Sequence, residues 1–289
     1  MLQRMTGSFS GFGFWLILLI TMPAEAIVIR HDVVDKHYLA TAADYPALAT
    51  FYVDGAHGSL IAPRWVLTAA HTTFCLQPGS LIRLGAALYP VRRLYVHPEH
   101  QPGVSHDIAL VELATAVSDI APVQLYTDSD EAGRDLWFIG AGGTGDGKRG
   151  LTVDNVANQG QLRKAQNRVA TAPGPLLDFV FDQGVAALPL EGISGGGDSG
   201  GPAFLRRNQQ FWLLGLSSRG ANDHGSFYSG REVYSRVSFF LPWIEQVMHQ
   251  AGPQVPATLA LPQLRRWPDG VTAENILQIC QEIRLTAKP

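Results

Sequence analysis

Short apolar runs separated by turn residues dominate the chain. "LATFYVD", "GSLIA", "WVLTAA", "LIRLGA", "VRRLYV" and "IALVEL" are rich in Val, Ile, Leu and aromatic residues, and Gly, Pro, Asp or Asn punctuates the intervals. The spacing is that of an antiparallel sandwich or barrel. A second set follows in "DLWFIGAG", "FVFDQG", "PAFLR", "FWLLGLSS" and "EVYSRV". Between the sets, the polar stretch at residues 118–133 is expected to join two lobes. One strong helical pattern, "FFLPWIEQVMHQAG", closes the second set, with Gly252 as its stop. A Pro-rich stretch then leads to about residue 268, and "AENILQICQEIR" predicts a short terminal helix. There is no internal repeat.

The first 26 residues stand apart. Arg4 supplies a positive start, "FGFWLILLI" at residues 12–20 an apolar centre, and Ala24 and Ala26 the small residues of a cleavage site. The apolar run is shorter than the roughly 20 residues of a membrane span. It therefore predicts a signal peptide over 1–26, and a mature chain exported to the periplasm or the exterior without stable membrane association. An uncleaved anchor is the alternative.

Charge narrows the partners. With Lys+Arg 22 against Asp+Glu 25, the net charge of -3 argues against a nucleic-acid surface and leaves no polybasic patch for a membrane. The two cysteines, Cys75 and Cys280, suggest one disulfide in an exported chain, with two buried thiols as the alternative. "HPEHQPGVSH" offers His97, Glu99, His100 and His106, but the spacing fits no tight helical or hairpin metal site. No metal and no cofactor is expected.

Three motifs carry chemistry in a fixed order. "WVLTAAH" ends at His71, "HDIALVEL" contains Asp107, and "GGGDSGGPA" contains Ser199. Each alone has an ordinary explanation as a strand end or a turn; together they do not. On these motifs, and most of all on Gly197-Asp198-Ser199-Gly200-Gly201-Pro202, the chain resembles the trypsin–chymotrypsin family of serine endopeptidases from Ile27 to about Ala251. The resemblance implies an all-β fold of two antiparallel Greek-key barrels with the site between them, to which the helical patterns add a C-terminal helix and a short helical extension over 252–289. It implies a monomer acting on protein or peptide substrates.

The implied roles follow physical need. A serine hydroxyl is a weak nucleophile and needs a base in hydrogen-bond reach. His71 would take the Ser199 proton and return it to the leaving amine, while Asp107 fixes the imidazole tautomer. The N–H groups of Gly197 and Ser199 would receive the oxyanion. The family pairs the Asp before the nucleophile with a free α-amino group on a mature Ile, which maps onto Asp198 and Ile27. Cleavage after Ala26 would expose that amine directly.

Several positions depart from the family. Ile29-Arg30 replaces Gly-Gly after the Ile-Val start, Thr72 and Ala56 stand where a disulfide is usual, and Arg219 replaces a Trp. Cys75 pairing with Cys280 would tie the extension to the catalytic lobe. Ser218, Arg219 and Gly220 are placed to pair with substrate backbone. By the resemblance, Ile193, six residues before Ser199, and Ser194 would fall at the base of the specificity pocket, with Glu232 on its wall and Gly220 opposite. An apolar base and a desolvated acid predict cleavage after large apolar or aromatic residues, with some tolerance for Lys or Arg. The alternative to an enzyme is a catalytically silent binding protein on the same fold, but such relatives lose His, Asp or Ser, and all three are present here.

Overall fold

A computed structural model describes residues 27–222, 224–250, 271–272 and 274–287. The leader at 1–26 and the Pro-rich stretch before residue 271 lie outside the described residues.

Two closed six-stranded antiparallel barrels form the body. The first comprises β2 (Leu48–Tyr52), β3 (Gly55–Ala62), β4 (Trp65–Thr68), β5 (Leu81–Leu84), β6 (Ala87–Val96) and β7 (Ala109–Leu113). Its order is β2-β3-β4-β7-β6-β5, closed by the register Ala49↔Leu84 and Thr50↔Arg83. All six runs of the first predicted set fall on these strands. Closure removes the exposed sheet edges and lets apolar side chains fill the centre. Every residue of "ALVEL" in β7 is buried. Glu112, the charged one, accepts hydrogen bonds from Arg92 Nη1 at 2.9 Å and the Tyr95 hydroxyl at 3.2 Å.

The second barrel uses β9 (Asp135–Gly140), β12 (Arg163–Thr171), β13 (Leu176–Val180), β15 (Pro202–Arg207), β16 (Gln210–Gly220) and β17 (Arg231–Arg236). It runs β15-β9-β12-β13-β17-β16, and the β15–β16 pairing closes it. The short strand β8 (Gln124–Leu125) adds to β16 in parallel, within the stretch expected to join the lobes.

Strand β12 was not visible in the sequence, for a physical reason. Its inward positions Arg163, Ala165, Asn167 and Val169 alternate correctly, but two of the four are polar. Asn167 Nδ2 donates to the carbonyls of Val180 and Gly192 at 3.0 and 2.9 Å, and the wholly buried Arg163 forms a fork on Asp35 at 2.8 and 3.0 Å. Partnered polar groups can occupy core positions that a hydropathy pattern reads as loop.

The mature start predicted at Ile27 is a buried strand, β1 (Ile27–Ile29). It lies parallel to β10 (Thr144–Asp146) and antiparallel to β14 (Gly192–Ile193), and β11 (Gly150–Val153) completes this small sheet. Helix α1 (Val237–Gln250) starts two residues before its sequence pattern and buries Val237, Phe240, Ile244 and Val247, a single face at helical spacing, in the same core as the first barrel. Helix α2 (Ile276–Ile283) lies within the predicted terminal helix.

The disulfide expected between Cys75 and Cys280 is present, with the two Cα atoms 5.2 Å apart. It ties α2 to the turn that follows β4, across 205 residues of chain. A cross-link over so long a loop removes much unfolded-state freedom. Cys280→Ser is expected to lower the unfolding free energy by about 2–5 kcal/mol in urea titration. A variant as stable as the parent would show that the bridge is not a structural staple.

Candidate active site

The motifs predicted to act together come from different elements. His71 lies in the 3-10 turn Ala70–Cys75 after β4, and Asp107 lies two residues before β7. Ser199 sits on the tight turns between β14 and β15, in the second barrel's half of the chain. The cleft between the barrels brings them together.

Asp107 is buried and fully engaged. Its Oδ2 accepts from Ser218 Oγ at 2.7 Å and lies 2.7 Å from His71 Nδ1, while its Oδ1 accepts the His71 backbone N–H at 2.9 Å. Ser235 Oγ donates to its backbone carbonyl at 2.7 Å. Burial would raise this carboxyl, but His71 and the Ser218 hydroxyl outweigh it and hold the acid well below the usual carboxylate range. Burial alone would lower the His71 pKa; the Asp107 charge and hydrogen bond instead leave it above the ordinary value of 6.5. With Nδ1 committed to Asp107, Nε2 is the ring nitrogen left for chemistry.

The turn carrying Ser199 is fixed from several sides. Ser199 O accepts from His57 N at 2.8 Å, and Gly200 N donates to Ser217 O at 2.8 Å. Gly196 O accepts from Gly143 N at 2.5 Å, and Asp198 O accepts from Gly201 N at 2.9 Å. A trans peptide points its N–H opposite to its carbonyl. Those two acceptors therefore aim the N–H groups of Gly197 and Ser199 away from Gly143 and Gly201. Among the described residues neither N–H has a protein acceptor. Gly197 has φ +93°, and a Cβ there would meet Asn155 Cβ at 2.7 Å and Asp54 O at 3.0 Å, so only glycine fits.

Asp198 points the other way, into the second barrel. Oδ1 accepts Gly142 N at 2.6 Å and Oδ2 accepts Gly195 N at 2.8 Å, and the Ile27 backbone lies close enough to favour the ionised carboxylate. Ile27 and Asp198, predicted as partners, are thus brought together. Burial is the dominant influence and pushes the Asp198 carboxyl up to about 6 despite these donors. Gly140 makes room for it: a Cβ there would lie 2.1 Å from Asp198 Oδ1.

Of the predicted specificity residues, Ser194, Glu232 and Gly220 meet. Glu232 is buried and accepts from Ser194 N at 3.1 and 3.2 Å and from the Ser194 hydroxyl. Ser194 Oγ also lies 3.1 Å from Ser217 Oγ and 3.2 Å from the Tyr234 hydroxyl. Burial, opposed in part by Ser194, pushes the Glu232 carboxyl up to about 7. Ile193 is buried in a small cluster with Val28 and Phe181. Gly220 pairs with Glu232 in register, and nothing lies within 4 Å of where its Cβ would be, so this edge is open. Arg219 reaches across to the Val104 carbonyl at 2.7 Å.

The histidines of "HPEHQPGVSH" do other work. His97 and His106 lie with tilted rings, centroids 4.9 Å apart, and both pack on Phe240. Among the described residues no group of three or more His, Cys, Asp or Glu side chains could hold a metal ion.

Sequence reasoning missed two parts of the site. Asn155, whose Nδ2 donates to the Asp54 carbonyl at 2.8 Å beneath Gly197, carries no motif. Val271, Ile279 and Ile283 of the terminal extension line the cleft that holds His71 and Ser199; only the cysteine pairing hinted at that return.

Residues 35–244, well over half of the chain, match the trypsin family model. The chain belongs to the trypsin family. It is 30% identical over 219 residues to ovochymase of Halocynthia roretzi, a match covering 65% of this chain and 13% of that much longer protein. Family membership agrees with the two barrels and with the cleft between them.

Glu232 makes a pH dependence measurable. Its proton is held to a higher pH in the folded state, about 7 against an ordinary value of 4.5, so its contribution to stability falls as pH rises through that window and is level beyond it. Glu232→Gln should remove a decline on the order of 2–3 kcal/mol between about pH 5 and about pH 8 in paired urea titrations. Parallel pH profiles for parent and variant would contradict the buried, protonated carboxyl.

Proposed function

We propose that the protein is an exported serine endopeptidase working through an acyl-enzyme. The observation that supports this best is the His71–Asp107 pair at 2.7 Å, facing a cleft that also contains Ser199 and two backbone N–H groups free to receive an oxyanion. His71 Nε2 accepts the Ser199 proton as Oγ attacks the peptide carbonyl. Asp107 stabilises the resulting imidazolium, and the N–H groups of Gly197 and Ser199 take the charge on the carbonyl oxygen. His71 then protonates the leaving amine, and water repeats the sequence to release the acid. No cofactor takes part.

In this reading residues 1–26 are a removable leader, residues 27–251 the catalytic unit, and residues 252–289 an extension. No helix of the described residues is long and apolar enough to cross a membrane. Removal of the leader after Ala26 turns the Ile27 amide into an ammonium beside Asp198. That charge favours the ionised carboxylate and fixes the Ser199 turn, so export and activation coincide.

The pocket reading favours large apolar or aromatic residues before the cut. Ile193 offers no charge, and Glu232 is engaged by Ser194 and holds its proton to about pH 7. Tolerance for Lys or Arg should grow as Glu232 ionises. The open edge at Ser218 to Gly220 accepts substrate backbone as an added strand.

Two measurements test the chemistry. Ser199→Ala should abolish labelling by a fluorophosphonate and lower kcat by about 10⁴-fold or more, with the melting temperature held; near-parental turnover would exclude Ser199 as nucleophile. The acid limb of kcat/KM should have its midpoint above 6.5, because the pairing with Asp107 raises the His71 pKa and only neutral imidazole acts as base. A flat profile across that region, with chemistry limiting, would remove His71 from the role.

A further inference from the structure

We infer that the C-terminal segment forms the wall of the subsites for residues after the cut bond, and that it selects a large apolar side chain there. This rests on the endopeptidase reading and extends it to the leaving-group side.

The segment is built to face the cleft. In α2, Ile276, Ile279, Cys280 and Ile283 recur at spacings of three and four and form one stripe, and Leu277 on the other side is 69% exposed. The stripe packs on the first barrel: Ile276 is buried, and Ile279 and Ile283 are partly buried against the same core. Three kinds of attachment hold it. The disulfide fixes Cys280 to Cys75, Val53 N donates to Ile283 O at 2.8 Å, and Arg284 and Leu285 form bridges with Tyr52 and Leu81. The chain after α2 thus enters between β2 and β5, beyond the point where those strands pair with each other.

The position of this wall assigns its role. His71, Gly197 and Ser199 share a cleft of about 670 Å³ with Val271, Ile279 and Ile283. Ser194, Glu232 and the edge at Ser218 to Gly220 do not line that cleft. They occupy the side that receives residues before the bond. A peptide whose carbonyl sits at Ser199 must therefore continue past Gly197 into the cleft walled by the extension. There its side chains meet Val271, Ile279, Ile283 and Phe74, and no Lys or Arg among the described lining residues. The acid that lines the cleft, Asp54, is engaged by Asn155, whose Nδ2 donates to its Oδ2 at 3.2 Å.

Burying a Leu or Phe side chain against such a surface is expected to favour it about tenfold over Ser or Asp in kcat/KM. The test uses the full mature chain and peptides identical up to the cut bond, with Leu, Phe, Ser, Asp or Lys at the first two positions after it. Each rate is normalised to that of an anilide with the same acyl part, which has no residue beyond the bond. The parent should prefer Leu and Phe about tenfold, and Ile279→Glu should lose that preference and gain about tenfold for Lys. A flat or acid-preferring parent profile would overturn the inference without any variant, as would an Ile279→Glu profile matching the parent. Failure to hydrolyse every substrate, the anilide included, would overturn the endopeptidase reading and this inference with it; anilide hydrolysis with a flat profile would overturn this inference alone.

Discussion

A carboxylate that needs backbone partners in the protein interior organises the centre of this molecule. Asp198 lies immediately before Ser199, and its side chain is turned inward to the N–H groups of Gly142 and Gly195, close to the Ile27 backbone. A buried carboxylate without such donors would be costly. Three parts of the chain meet there. The β9 end must carry glycine at 140 to leave space. The β1 strand must be buried to present Ile27, which Thr144 Oγ1 also holds through the Ile27 carbonyl at 2.5 Å. The turn at Gly195 to Ser199 must keep its carbonyls facing Gly143 and Gly201, which leaves the Gly197 and Ser199 N–H groups without protein acceptors.

The two barrels divide the remaining work. The first supplies a histidine whose orientation is set by Asp107, with Ser218 and Ser235 from the second barrel completing the carboxylate's hydrogen bonds and holding the residue's carbonyl. The pair therefore depends on both barrels being in register, although neither His71 nor Asp107 belongs to the second. The terminal extension adds a further tie on the far side of the cleft through Cys280 and the main-chain contacts of Ile283 to Leu285. Its apolar stripe and its anchors lie on one surface, so the same packing that holds the segment also shapes the cleft.

Much of this was legible in the sequence, because chemistry and hydropathy agreed. Strands such as "WVLTAA" and "IALVEL" are apolar and short, and His71, Asp107 and Ser199 carry recognisable neighbours. The places that were not legible share one cause: polar groups satisfied by distant partners. Arg163 and Asn167 hide strand β12 because their partners, Asp35, Val180 and Gly192, are not local. Glu232 was expected as a wall residue, but its tie to Ser194 depends on two segments 38 residues apart meeting. Ile279 and Ile283 read as an ordinary amphipathic helix, and nothing in their spacing says which cleft they line.

The most direct test of the central role of Asp198 is the rate of fluorophosphonate labelling of Ser199 in Asp198→Asn, measured beside its melting temperature. An amide can replace one acceptor but cannot pair with a cation or accept through both oxygens, so the Gly197 and Ser199 N–H groups lose their fixed positions. Loss of one oxyanion donor typically costs about 10²–10³-fold. The account predicts a labelling rate reduced by about 10²-fold or more in a variant that still unfolds cooperatively. Labelling at the parental rate would contradict it.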